Sequence, residues 1–255
     1  MARIFITGST EGLGRAAAQA LIAQGHQVVL HARSERRASA VADLAPRSAG
    51  VVVGDLGSAA ETRSIAAQVN SVGRMDAVIH NAGIYSTRDR SATPEGHANI
   101  LAVNTLAPYM LTALIERPRR LICLSSGMHR GGVGPLDDID WNERRWNPTR
   151  AYAESKLYIA ALALSVARHW PDVLSNVVDP GWVPTRMGGP GAPDDLEEGH
   201  LTQTWLAVSD DPEVMVSGGY WFHRRRQAPA AEITDHALQD QLVAALAELT
   251  GVSLF

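Results

Sequence analysis

Six short runs of aliphatic and β-branched residues, at 3–7, 27–32, 51–54, 76–80, 121–125 and 174–178, alternate with longer Ala- and Leu-periodic stretches. The runs are continuously apolar, so each predicts a strand buried on both faces, and the stretches between them predict helices. Such alternation folds as an α/β doubly wound parallel sheet with helices on both sides. With 255 residues and no internal repeat at solenoid spacing, one domain over residues 1–255 is expected. Two segments break the rhythm. Residues 127–150 form an insert with glycines, an acidic cluster (Asp137, Asp138, Asp140) and two tryptophans. Residues 181–195 are rich in Gly and Pro, and Asp194-Asp195 then signals a helix to about Val208. The insert and residues 181–210 are expected as lid elements over a cleft. A last amphipathic helix is expected near residues 235–249.

Composition removes several function classes. A formal charge of -4 and a pI near 6.1 provide no broad basic field for a phosphate backbone, so no nucleic-acid partner is expected. Cys123 is the single cysteine, which excludes an internal disulfide and gives no metal site; a reducing, cytoplasmic setting is expected. An apolar strand-like run starts at Arg3 and leaves no room for a signal peptide. The longest apolar stretch, residues 157–167, is about half of the ~20 residues a membrane span requires, so no membrane partner is expected. Every basic residue except Lys156 is arginine, which raises the question of what a compact ammonium does there that a planar guanidinium cannot.

The first strand runs into Thr7-Gly8-Ser9-Thr10-Glu11-Gly12-Leu13-Gly14 and then an Ala-rich helix. Glycines at a strand-to-helix turn let the backbone approach a pyrophosphate at a helix N-terminus, as in a Rossmann-type dinucleotide site. Roughly 20 residues further on, such a site reads the ribose with an acid for NAD or an arginine for the 2′-phosphate of NADP. Here the second strand ends His31-Ala32-Arg33-Ser34, without a carboxylate. Arg33 can pair with a dianionic phosphate and Arg15 can assist, so NADP(H) is preferred, with NAD(H) left open. Tyr152 and Lys156, at i and i+4, share a helix face, where the ammonium can favour phenolate and lower the phenol pKa towards the working range.

Thr7-Gly8-x-x-x-Gly12-x-Gly14, Asp55-Leu56, Asn81-Ala82-Gly83, Asn104, Ser125-Ser126, Tyr152-x-x-x-Lys156 and Pro180-Gly181 with Thr185 occur in the order seen in short-chain dehydrogenases/reductases. From Arg3 to about Trp221 the chain resembles that family. The long insert, His129 and Ser155-Lys156-Leu157 resemble its retinol-dehydrogenase-like and bacterial carbonyl-reductase branch. The resemblance implies that Tyr152 gives a proton to a carbonyl oxygen and that Lys156 lowers its pKa and holds the nicotinamide ribose. It implies that Ser126, the second serine of the pair, hydrogen-bonds the substrate oxygen, and that Asn104 holds a water linking Lys156 to solvent. The cofactor would lie along Gly8, Ser9, Thr10, Gly12, Leu13, Gly14, Arg33, Asp55, Leu56, Asn81, Ala82, Gly83, Pro180, Gly181, Val183 and Thr185, besides Tyr152 and Lys156.

The reading is therefore an NADP(H)-dependent carbonyl reductase or alcohol dehydrogenase. The alternative is a non-catalytic NADP(H)-binding sensor or scaffold of the same fold. A sugar epimerase is disfavoured by glycine spacing and length, and enoyl reduction by the tight tyrosine-to-lysine spacing. Trp141, Trp146 and Trp182 either surround the mouth of the cleft, favouring an apolar or aromatic ketone or aldehyde, or anchor loops to the body. His129 reads as an ordinary loop histidine, Trp221 and Cys123 as core, and Arg224 to Arg226 as a solvated run. The helix after Tyr152 is apolar nearly all round. It is either shared in a homodimer or homotetramer or covered within one chain.

Overall fold

The structure, a computed structural model, describes residues 1–85, 89–132 and 135–255, so residues 133 and 134 of the insert lie outside it. Among the described residues eight strands form one sheet in the order β3-β2-β1-β4-β5-β6-β7-β8. They are β1 Arg3–Ile6, β2 Gln27–Ala32, β3 Gly50–Val53, β4 Ala77–His80, β5 Arg120–Leu124, β6 Leu174–Asp179, β7 Tyr220–Phe222 and β8 Arg225–Gln227. All neighbours are parallel except β8, which runs antiparallel to β7. In the centre Phe5 pairs with both Val29 and Val78. The six strands expected from the sequence each fall within one residue of their observed ends. One correction concerns the arginine run: it is exposed, but Arg225 and Arg226 belong to β8, a charged edge strand of the kind that resists further pairing.

The helices are α1 Gly12–Ala23, α2 Glu35–Ala38, α3 Ala59–Val72, α4 Asn99–Leu101, α5 Ala107–Leu114, α6 Pro148–His169, α7 Leu196–Val208 and α8 His236–Thr250. A π-helical turn, Ala102–Leu106, joins α4 to α5. Local chemistry sets several starts: Ser58 accepts from the Glu61 N–H, Asp195 from Glu197 and Asp235 from Ala237, while Asn147 precedes Pro148 at the first position of α6. One face of the sheet packs on α1 and α7 through Ile4, Ile6, Leu21, Leu30 and Ile122. The other packs on α3, α5 and α6 through Phe5, Val29, Val69, Leu111 and Ile159. Each fully buried aliphatic side chain contributes about 1.5–3 kcal/mol. The chain leaves β1 for β2 and β3, then returns to β4 on the other side of β1, so a crevice opens at the carboxyl ends of β1 and β4.

Helix α6 is covered by its own chain. The turn after β5, a 3-10 turn at Ala231–Thr234 and α8 all pack on it, and its residues from Ala151 to Ala163 are buried. The insert is fastened to α6 by a bidentate ion pair: Arg144 donates to the two carboxylate oxygens of Glu154 at 2.9 and 3.0 Å, and to Asp138 at 3.1 Å. The Arg144 guanidinium also lies 3.8 Å from the centre of the Trp141 ring, which meets Trp146 edge-on. Trp141 is buried, so these two tryptophans anchor the insert and do not line a cleft mouth. Among the described residues no helix is long and apolar enough to cross a membrane, and no group of three His, Cys, Asp or Glu side chains is arranged to hold a metal.

Candidate active site

The glycine turn is built without slack. Gly8 and Gly12 adopt φ of 65° and 54°, a region that side chains avoid. A Cβ on Gly14 would overlap the Asn81 amide nitrogen and the Gly8 carbonyl oxygen. That nitrogen, Nδ2, donates to Thr7 O at 2.9 Å, and Thr7 Oγ1 accepts from the Ala82 N–H at 3.0 Å, so β1 and the Asn81-Ala82-Gly83 segment are pinned together. Among the described residues Asn81 Oδ1 is buried without a partner, and the first turn of α1 receives no side-chain cap. An unfilled acceptor beside a cradle of open N–H groups suits a phosphate- and ribose-bearing ligand.

Two members of the motif serve the scaffold. Ser9 is fully buried, and its hydroxyl accepts from the His31 N–H at 2.7 Å. Leu13 packs against the Gly199 backbone of α7. Thr10 stays at the rim, where its hydroxyl accepts from Arg37 at 3.5 Å. Beneath the turn, His31 Nδ1 accepts from the Gly8 N–H at 2.9 Å while Nε2 meets Gly54 O at 2.9 Å. The first contact requires a bare Nδ1, so Nε2 carries the proton, and burial keeps the ring below its usual pKa and neutral. The sequence reading missed this histidine; its signal was a polar ring inside an otherwise apolar strand.

At the adenine end Arg33 is exposed just past β2. Arg37 pairs with Glu11 at 2.7 Å and brings a second guanidinium to this rim. Arg15, expected to assist, is bound to Asp43 at 2.8 Å and to Ala40 O at 2.5 Å instead. Asp55 follows β3 and its Oδ1 accepts from the Gly57 N–H at 2.8 Å, whereas Leu56 is buried in the core.

The other end of the crevice gathers the reactive side chains. Ser125 is buried and donates to Lys156 O at 2.8 Å, which ties β5 to α6. Ser126 is half-buried, its hydroxyl accepts from the Met128 N–H at 3.3 Å, and the side chain lies near enough to the Tyr152 phenol to favour its charged form. Burial pushes the phenol up to about 12, the Asp179 charge adds to the rise, and the Ser126 hydroxyl opposes it. Lys156 is not among the groups that lower it, so in place of the expected lowering the phenol is raised, by desolvation first. The amine donates to Leu124 O at 3.0 Å and lies 5.7 Å from the Tyr152 ring centre. Burial brings Lys156 down to about 8, while the neighbouring Cys123 and then the Asp179 charge raise it.

Gly83 lies so close that a Cβ there would stand 3.1 Å from Lys156 Nζ and 3.5 Å from Asn104 Oδ1. Asn104 occupies the π-helical turn. Its Oδ1 accepts from Ile84 N–H at 2.8 Å, and its Nδ2 donates to Ile84 O and to Ser155 Oγ, both at 3.0 Å. Ser155 in turn donates to Tyr152 O at 2.8 Å. Asn104 therefore fixes the Tyr152 turn of α6 through Ser155, a link the sequence reading did not single out. One Oδ1 lone pair is left for the expected water.

Over this end lies the loop after β6. Gly181 takes φ of 82°, Val183 is buried, and Thr185 comes within 3.4 Å of the Gly12 Cβ position. Pro180 O borders Gly199 of α7. The Met187 sulfur accepts from the Tyr152 hydroxyl at 3.9 Å, and Trp182 is 60% exposed with its N–H on Gly188 O. Tyr85 packs edge-on to Tyr152 at 5.0 Å and bonds Thr149 through its hydroxyl. Tyr85 and Met187 are the apolar neighbours of the reactive hydroxyl that sequence reasoning missed.

Over residues 8–214 the chain matches a family model described as enoyl-(acyl carrier protein) reductase. It is 41% identical to a short-chain dehydrogenase of Penicillium rubens, over 100% of this chain and 99% of that protein. It is 28% identical to retinol dehydrogenase 13 of Homo sapiens, over 98% of this chain and 84% of that one. A crystal structure of a protein from Mycobacterium Paratuberculosis superimposes with a TM-score of 0.85 at 23% identity, covering 100% of this chain and 95% of that chain.

Proposed function

The chain belongs to the short-chain dehydrogenase/reductase family of oxidoreductases, and on that footing we propose that it interconverts a carbonyl and an alcohol with NADP(H), Tyr152 being the proton donor. The observation that carries this reading is that Ser126, Tyr152 and Lys156 gather at one end of the crevice, Lys156 donating to Leu124 O and lying 5.7 Å from the Tyr152 ring centre on the next turn of the same helix. Two hydroxyls at one end of a crevice can bind and protonate one developing oxyanion. A bound nicotinamide would supply the hydride. Gly8, Gly12, Gly14 and the free Asn81 Oδ1 would hold the dinucleotide, Gly83, Lys156 and Thr185 its nicotinamide end, and Asp55 its adenine end.

The chemistry of this chain's own residues is coherent. A protonated phenol is the form needed to donate to a carbonyl oxygen, and burial keeps it protonated at neutral pH. Lys156, charged below about 8, offsets negative charge as the proton leaves. Asn104 and Ser155 hold the turn carrying both groups. For the cofactor, Arg33 supported by Arg37 favours the 2′-phosphate of NADP(H), since no carboxylate ends β2 to repel it. The rim of Trp182, Met187 and Tyr85 favours an apolar or aromatic ketone or aldehyde. Although the matching family model carries an enoyl-reductase description, the three-residue gap between Tyr152 and Lys156 argues for carbonyl chemistry. The test is consumption of NADPH, and separately of NADH, against a panel of ketones, aldehydes and quinones, with tryptophan quenching as the binding control. Binding without consumption across the panel would replace the enzyme by a sensor.

A further inference from the structure

Below the reactive hydroxyls lies a carboxylate that the reaction just described does not use. Asp179 ends β6, with Oδ1 accepting from the Gly181 N–H at 3.1 Å and Oδ2 from the Tyr220 hydroxyl at 3.3 Å. Oδ2 also stands 3.1 Å from the Cβ position of Gly127, so the carboxylate packs against the Ser126-Gly127 turn. The Tyr220 oxygen lies 3.2 Å from His129 Nδ1, and that nitrogen lies 2.7 Å from Ser126 O. His129 Nε2 accepts from the Ala230 N–H at 3.1 Å. Nε2 is therefore bare and Nδ1 carries the proton, which it donates to Ser126 O. His129 and Tyr220 are buried, so the ring reads as a support under the serine and not as the loop residue expected from sequence.

Resting on the carbonyl-reductase reading above, we propose that Asp179 is a positioning residue of the reaction centre. It holds the Ser126 turn through Tyr220 and His129, and its negative charge acts on Tyr152 and Lys156 beside the larger effect of burial. Both neighbours donate to it, so the carboxylate supplies two acceptor oxygens where an asparagine would supply one and leave a donor unpaired. The groups around it respond to its charge in one direction. Tyr152 and Lys156 on α6 are both raised by it, as are Tyr220 on β7 and His129 after β5. Arg130 and Glu232 also act on His129, with opposite signs, and Asp194 and His223 border the neighbouring Gly181. The sign follows from electrostatics: a fixed anion disfavours phenolate and favours ammonium. Its removal lowers both values and makes the pair lose protons at lower pH.

Lys156 is the sole lysine, so carbon-13-labelled lysine gives a single side-chain resonance whose titration needs no turnover. In Asp179→Asn the Lys156 midpoint should fall by roughly one pH unit, and the alkaline limb of ketone reduction should fall with it. An unchanged midpoint in a folded variant overturns the charge role, even if no substrate is ever found. The strut is read from Tyr220→Phe, which leaves the charge in place and stands in if Asp179→Asn does not fold. It should lower kcat several-fold in the native background and have no further effect in a Ser126→Ala background. Additive losses overturn the strut. A wild-type protein that reduces nothing on the panel, with the Lys156 shift still present, defeats the carbonyl-reductase reading and leaves the Asp179 charge effect standing.

Discussion

Replacing Arg144 by methionine tests how the insert is held. Glu154 is 1% exposed, and both of its carboxylate oxygens are bonded by Arg144. Methionine keeps the aliphatic stem against Trp141 but leaves a buried carboxylate without its counter-charge, which costs about 3–5 kcal/mol. At about 2.1 cal/mol/K of unfolding entropy per residue, a chain of 255 residues has about 0.54 kcal/mol/K, so the midpoint should drop by about 6–9 °C. Thermal melts and urea unfolding read this loss. Glu154→Leu in the same background should recover most of it, because the penalty belongs to the unpaired charge. Glu154 lies two residues from Tyr152, on the opposite side of α6, so kcat at a permissive temperature should stay near the native value. A single variant that loses under about 1 kcal/mol, with no recovery in the double, would refute the reasoning and make the pair a solvated one.

Tyr152→Phe should abolish turnover while tryptophan quenching still reports dinucleotide binding; near-native turnover removes the phenol from the mechanism. Ser126→Ala should lower kcat by about 100-fold, as for loss of one oxyanion donor, whereas Ser125→Ala should act on the melting temperature through its bond to Lys156 O. Gly14→Ala should weaken dinucleotide affinity at least tenfold, because the new Cβ drives Asn81 off Thr7; titration by quenching checks this. His80 is buried, its Nε2 bonded to Thr112, and desolvation brings it to about 3 from an ordinary 6.5. Its folded-state value is depressed, so its stabilising contribution is complete above pH 6.5. It is lost on going down towards pH 3 by about 1.4 kcal/mol per unit, a slope that denaturant midpoints should show flattened in His80→Gln.

Much of this site was legible because its signals are local. Apolar runs fixed the strands, the Asp195 cap fixed the start of α7, and i,i+4 spacing brought Tyr152 and Lys156 to one helix face. Strand alternation explains the serine pair: Ser125 turns under α6, so its neighbour faces the crevice. What stayed hidden depends on contacts distant in sequence. His31 reaches Gly8 and Gly54 across 23 residues each, and Tyr220 reaches His129 across 91. The two readings of Trp141 and Trp146 stayed open in the sequence, because what decides between them is Arg144 lying over the Trp141 ring and Trp146 meeting that ring edge-on. β8 was invisible because Arg225-Arg226-Gln227 carries no strand pattern of its own.

The wide turn at Ala102–Leu106 makes residue number, and not only residue type, a requirement of this helix. It accommodates one residue more than an α-helical path would, and Asn104 sits inside the excess. Deleting a single position there would let the helix rewind into regular geometry and swing each side chain on one flank by about 100°. The amide would then leave Ile84 and Ser155 even if an asparagine remained nearby. Length changes that a surface loop absorbs would therefore disconnect the Tyr152 turn here, while leaving every reactive side chain in the sequence.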